Sequence, residues 1–135
     1  MSISHQEARR ILDAAIAKAD ELGVKVGISV VDDHADLVAS IVMGDAGFLF
    51  LPQASMGKAM ATVIWKGQLS GVLNERAGAP MFQAVNAMYN NKLVYQQGAV
   101  PLKRGDELIG AVGAGGASPQ QDEEIAAAGA AALEG

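Results

Sequence analysis

The segment 97–126 has the sequence QGAVPLKRGDELIGAVGAGGASPQQDEEIA, and the order of its elements decides the fold. It predicts two strands, 100–103 and 107–113, joined by a tight turn at residues 104–106, and then a helix. Ser118 is a typical N-cap residue, Pro119 suits the first helical position, and Gln121 completes a capping box. Three acidic residues then follow in the first turn, where the helix dipole favours negative charge.

The rest of the chain predicts alternating helices and strands. Ser4 and Glu7 form a capping box before an amphipathic helix that Gly23 ends. Alternating apolar residues predict a hairpin of strands 24–32 and 37–43. The further elements are a helix over 53–67 that is apolar on most sides, a looser region 69–90 with a helix near 81–88, a strand over 93–97, and the last helix over 119–133.

This order predicts an α+β fold in a single domain spanning residues 1–135. An antiparallel sheet of about five strands, flanked by the N- and C-terminal helices and a central helical segment, is the simplest way to bury these faces.

Composition narrows the classes of function. The net charge of −5 argues against a nucleic-acid partner, which requires a basic surface. No apolar run is long enough to span a membrane, and no signal peptide is visible, so we expect a cytoplasmic protein. The absence of cysteine excludes disulfides, thiolate metal sites and cysteine nucleophiles.

The glycine-rich strand and capped helix resemble the C-terminal signature of the haem-binding, or haem-degrading-domain, family of glycolate- and propanediol-utilisation operons. The resemblance implies a profilin-like α+β fold and a homo-oligomer that binds haem. The chain departs from the family pattern at His34 and Ala35, where two glycines are usual, at Val42, where an arginine is frequent, and at Ala61, where a threonine is usual. The matching positions are Gly98, Val100, Pro101, Gly110, Ala111, Gly113, Gly116, Pro119, Gln121, Asp122, Glu123, Glu124 and Ala126.

Lys58 is the first candidate for a ligand-binding residue, because it interrupts the most apolar helix. A lysine in a buried helix must pair, reach solvent or bind an anion. Thr62 and Trp65 follow on the same helical face, which predicts that they share the site. The alternative is a structural ion pair between Lys58 and an acid such as Asp32 or Asp45.

His34 and three glycines complete the predicted site. A neutral imidazole could ligate a haem iron, although His34 is also compatible with a solvent-facing turn. Gly113, Gly115 and Gly116 could hold a ligand against main-chain N–H groups. The alternative for the glycines is tight sheet packing at a subunit interface.

Two hypotheses about function follow. The first is a protein that binds haem, another tetrapyrrole or another flat anionic small molecule near a subunit interface. The second is a cofactor-free enzyme that acts on a small carbonyl compound or carboxylic acid. In that enzyme Lys58 would serve as a base or Schiff-base nucleophile, with Asp32 or Asp45 as the partnering acid. A purely structural protein remains the third alternative.

Residues 48–51, with the sequence FLFL, predict self-association. Alternate side chains of an extended segment point to opposite faces, so about half of this run must meet something outside its own sheet. An exposed apolar patch of this kind usually marks a protein contact. We therefore expect a homo-oligomer, with a dimer as the minimum; a local helical turn that buries all four residues is the alternative.

Overall fold

A computed structural model describes residues 2–134 and confirms an α+β fold. Both predicted capping boxes are present, since the Ser4 hydroxyl accepts from the Glu7 N–H and the Ser118 hydroxyl accepts from the Gln121 N–H. Gly23 ends the first helix in a left-handed conformation with φ of 73°. The elements are α1 (His5–Leu22), β1 (Gly27–Asp32), β2 (Leu37–Val42), α2 (Leu51–Ile64), α3 (Ser70–Asn74), α4 (Pro80–Met88), β3 (Ala99–Arg104), β4 (Glu107–Gly115), α5 (Pro119–Ala131) and a 3-10 turn (Ala132–Glu134).

The strands form one antiparallel sheet in the order β2-β1-β4-β3. In the central pair, Gly27 lies opposite Gly115 and Asp32 lies opposite Gly110. The predicted hairpin between β3 and β4 is confirmed, and Gly105 provides its turn with φ of 63°. The central pair therefore places the start of β1 beside the end of β4, just before α5 begins.

The sheet of the described chain has four strands, so the predicted strand over 93–97 is wrong. The Val94 N–H donates to the Gly57 carbonyl of α2, and the Leu93 N–H donates to the Asn86 side chain of α4. Because these backbone groups bond to helices, the segment needs no neighbouring strand. Its buried side chains, Leu93 and Tyr95, belong to the same apolar cluster as buried residues of α2.

Helices α1 and α5 pack together on one face of the sheet. A Cβ at Gly129 would lie 3.0 Å from the Ile11 carbonyl oxygen, so the absence of a side chain there lets the two helices approach closely. The fully buried side chains of this core include Ile11, Ile28, Val30, Val112 and Ile125.

Helix α2 covers the opposite face of the sheet. It begins at Leu51, which is fully buried, and not at residue 53 as predicted. It ends at Ile64, before residue 67, because Lys66 and Gly67 take left-handed conformations with φ of 61° and 88°. The buried hydroxyls of Ser29 on β1 and Ser55 on α2 lie 2.7 Å apart and join the helix to the sheet.

The looser region 69–90 forms two short helices, α3 and α4, where one was predicted. They cover the end of α2 together with the segment 93–97. Trp65 stacks on Phe82 with 3.9 Å between ring centroids, and its indole N–H donates to the Tyr95 hydroxyl at 3.1 Å. This aromatic group closes a second core on the α2 side of the sheet.

The apolar run 48–51 lies at the beginning of α2. Leu51 is fully buried, but Phe48, Leu49 and Phe50 remain 52%, 99% and 58% exposed. A local helical turn that buries all four side chains is therefore ruled out. No helix within residues 2–134 is both long and apolar enough to cross a membrane.

Candidate functional site

Lys58 is buried between α2, the end of β4 and the start of α5. Its side chain is only 9% exposed, and its ammonium donates to the Ala114 carbonyl at 2.9 Å and to the Asp122 carboxylate at 3.3 Å. A buried lysine requires such partners because an isolated charge is costly to remove from water. Two of its three N–H donors are thus used by these protein groups.

The acid that pairs with Lys58 is Asp122, so the predicted ion pair of Lys58 with Asp32 or Asp45 is wrong. Ala114 lies opposite Ile28 in the sheet, whereas Asp32 lies opposite Gly110, four residues earlier in β4. Asp32 instead stabilises the turn between β1 and β2. The chain can pair Lys58 with Asp122 because only three residues separate the end of β4 from the start of α5.

The Asp122 carboxylate is fixed at both oxygens. Oδ2 accepts from Lys58, and Oδ1 accepts from the Ala117 N–H at 3.0 Å. Burial raises the pKa of Asp122 above its ordinary value, and the charge of Lys58 and these hydrogen bonds offset only part of that effect. The two side chains therefore form a compact, nearly buried acid–base pair.

A cleft of about 270 Å³ opens onto this pair, and we call it the Lys58 cleft. Phe48 and Phe50 line one side of it, with 5.2 Å between their ring centroids. Gln96 and Gln97 also line it, together with Gly115 and Gly116, which have no side chain. The complete lining is Phe48, Phe50, Leu51, Ala54, Lys58, Val94, Gln96, Gln97, Gly115, Gly116, Ala117, Pro119 and Asp122.

A second cleft of about 390 Å³, the Met56 cleft, adjoins the first and shares Phe50, Ala54 and Val94 with it. Most of its wall is apolar, whereas Lys92 and its neighbour Asn91 are polar and exposed. The combined space lies within the range of small-molecule sites. The lining of the Met56 cleft is Phe50, Gln53, Ala54, Met56, Asn91, Lys92 and Val94.

The structure brings together Lys58, Gly115 and Gly116 among the predicted site residues. Gly113 is turned towards α2, where a Cβ would overlap the Ser55 carbonyl oxygen, so its position serves close packing. Thr62 follows on the same helix and is fully buried, and Trp65, the residue after the helix ends, packs on the second core; neither lines a cleft.

His34 lies in the turn between β1 and β2, at the opposite end of β1 from Lys58, and its side chain is 80% exposed. The Asp32 carboxylate accepts from the His34 and Asp36 N–H groups at 2.8 and 3.0 Å. Asp32, Asp33 and His34 place their ligand atoms within 4.8 Å of one another. This exposed turn is separate from both clefts.

Sequence reasoning missed Asp122 as a site residue because the acids after Pro119 suggested only a favourable helix dipole. A signal was available, since Asp122 shares helical spacing with Ile125, Ala126 and Gly129, which are all buried. Gln96 and Gln97 could not be identified, because the segment that carries them was predicted to be a strand.

Comparisons with known proteins agree with this architecture. Residues 3–131 match the family model of the haem degrading protein HbpS-like family. Corrinoid adenosyltransferases PduO of Citrobacter freundii and of Salmonella typhimurium are each 30% identical to the chain over 98% of its length. The chain spans only 39% of the length of these relatives.

Solved structures share the fold. The PduOC:heme complex superposes with a TM-score of 0.85 at 29% identity, covering 98% of this chain and 95% of that one. Klebsiella pneumoniae protein ORFY superposes with a TM-score of 0.88 at 23% identity, covering 98% of this chain and 90% of that one. HbpS superposes with a TM-score of 0.83 at 23% identity over 97% of this chain and 89% of that one. With the family model matching nearly the whole chain, the protein belongs to the HbpS-like haem-degrading protein family.

Proposed function

We propose that this protein binds haem or a related flat, anionic tetrapyrrole in the Met56 cleft. The observation that carries the proposal is an apolar cleft of about 390 Å³ with an exposed lysine, Lys92, among its lining residues. A tetrapyrrole has an apolar ring and carboxylates at one edge, and this cleft offers a surface for each. The solved complex of PduOC with heme, at 29% identity, supports the same ligand class.

The residues of the cleft fit the ring and its carboxylates. Phe50, Ala54 and Val94 would contact the ring, and the Lys92 ammonium would pair with a carboxylate. Bound haem would supply a redox-active iron. Neither histidine of the chain lines the two clefts, so the geometry favours ring and carboxylate contacts over the His34–iron bond predicted from sequence.

Haemin titration followed by the Soret band tests the proposal. Ala54→Phe fills the shared wall of both clefts and should weaken binding at least tenfold. Lys92→Gln should weaken binding several-fold, whereas Lys103→Gln, an exposed lysine on β3, is the matched control. Wild-type titration curves from both cleft variants would overturn the assignment.

The His34→Ala variant separates the two candidate locations. We expect its titration to match wild type, because His34 lies at the far end of β1. Loss of the Soret shift in this variant alone would place the ligand at the turn between β1 and β2 and would contradict a site in the Met56 cleft.

The proposal includes assembly into a homo-oligomer, with a dimer as the minimum. Phe48, Leu49 and Phe50 form an exposed apolar patch beside the clefts, and exposed patches of this kind are frequent at protein contacts. A second copy covering this patch would also lie next to the ligand. The cytoplasmic location stays a prediction from the sequence.

A further inference from the structure

The Lys58–Asp122 pair is not used by the proposed tetrapyrrole site. Both side chains line the Lys58 cleft, yet Lys92 supplies the cation of the Met56 cleft. A buried ion pair is rarely a gain in stability over well-packed apolar residues. A pair of this kind at the surface of a cleft has the arrangement of a reactive site, with a nitrogen nucleophile beside a proton donor.

We propose that the Lys58 cleft is a reaction site for a small, uncharged aldehyde or ketone, in which Lys58 forms a Schiff base and Asp122 transfers the proton. This inference is independent of tetrapyrrole binding. Its grounds are the 3.3 Å contact between the two groups, their near-complete burial and the adjoining cleft.

The chemistry requires a neutral amine next to a protonated acid. Burial favours the protonated acid, because it raises the pKa of the Asp122 carboxyl. The Lys58 nitrogen then adds to the carbonyl carbon while the carbonyl oxygen takes the proton of Asp122. The carbinolamine loses this oxygen as water, which carries away both hydrogens of the amine overall, and the imine remains with the acid restored.

The lining defines the class of substrate. The cleft volume of about 270 Å³ lies just below the usual range of small-molecule sites, so the ligand is small. Lys58 and Asp122 together carry no net charge, which favours an uncharged ligand. Gln96 and Gln97 also line the cleft, and a glutamine amide both donates and accepts hydrogen bonds, which suits a ligand that carries a hydroxyl group. These features together favour a short hydroxy-aldehyde or hydroxy-ketone.

Reductive trapping with hydroxyacetone and borohydride, without haem, tests the proposal. Intact mass should show one reduced adduct per chain, and peptide mapping should place it on Lys58 in preference to the exposed lysines. Lys58→Met should abolish this adduct, and Lys103→Met should retain it. Asp122→Asn should slow trapping at least tenfold.

Peptide mapping of the wild-type protein gives a decisive result even if the Lys58→Met or Asp122→Asn variant folds poorly. Adducts spread over exposed lysines with Lys58 unmodified would overturn the proposal, as would equal trapping by a folded Lys58→Met variant. Because the assay contains no haem, a negative result here leaves the tetrapyrrole titration unaffected, and the reverse holds as well.

Discussion

The Gly113→Ala substitution tests how closely β4 packs against α2. A Cβ at Gly113 would overlap the Ser55 carbonyl oxygen and lie 3.1 Å from the Ala59 backbone nitrogen. Both atoms belong to the helix backbone, so the new methyl group fits only if α2 moves away from the sheet. Overpacking costs roughly 1–3 kcal/mol, and contact with backbone places this case near 3 kcal/mol. For a domain of 135 residues, Tm should fall by about 10 °C.

Gly115→Ala is the matched control on the same strand. Its Cβ would lie 3.6 Å from the Lys58 amine and 3.7 Å from a Leu51 methyl group, which are ordinary contact distances. We expect its Tm to stay within about 2 °C of wild type. Thermal unfolding followed by circular dichroism measures both variants. A wild-type Tm for Gly113→Ala would refute the close packing, and an equal loss in both variants would show that the contact with Ser55 is not the cause.

Three further predictions concern stability and assembly. Hydrogen bonds from Arg104 and the Ser4 N–H lower the pKa of Glu7 from 4.5 to about 2. The contribution of Glu7 to the free energy of unfolding is therefore complete above pH 4.5 and is lost as the pH falls towards 2. Urea unfolding of Glu7→Gln should therefore show a deficit of ~0.5–1 kcal/mol at pH 7 that disappears near pH 2; a constant deficit would contradict the assignment. The Thr62 hydroxyl is buried and has no hydrogen-bond partner within the described chain, so Thr62→Val should stabilise the protein by about 1 kcal/mol in the same assay, and a loss of stability would reveal a partner. Sedimentation should show that the Phe48→Ser/Phe50→Ser variant forms a smaller assembly than the wild type. A wild type that is already monomeric at micromolar concentration would contradict the predicted homo-oligomer.

The fold was largely predictable because its signals are local. The capping boxes at Ser4 and Ser118 depend on residues three apart, and both helices begin where these boxes place them. The β3–β4 hairpin follows from a turn centred on Gly105. The predicted strand over 93–97 was wrong because its apolar start, Leu93 to Tyr95, indicates burial without indicating the partner, and packing over α2 buries it as well as a sheet would.

The site was predictable only in part, because it depends on contacts distant in sequence. Lys58 stood out by its place in an apolar helix, but its partner lies 64 residues farther along the chain. Asp32 and Asp45 were reasonable candidates by proximity in sequence, and the register of β1 with β4 excludes Asp32 from the pair. Thr62 shares the helical face of Lys58, yet one further turn of helix carries it away from the cleft.

The double variant Lys58→Met/Asp122→Leu distinguishes a structural ion pair from a functional one. Removing one partner leaves a buried charge uncompensated, so each single variant should lose about 3–5 kcal/mol in urea unfolding. Replacing both by apolar residues removes the desolvation cost together with the attraction, and we expect the double variant to recover to within about 1 kcal/mol of wild type. A double variant as unstable as the singles would mean that the pair is required to join α2, β4 and α5. A stable double variant would mean that the fold does not require the pair, as expected for side chains kept beside the cleft for their chemistry.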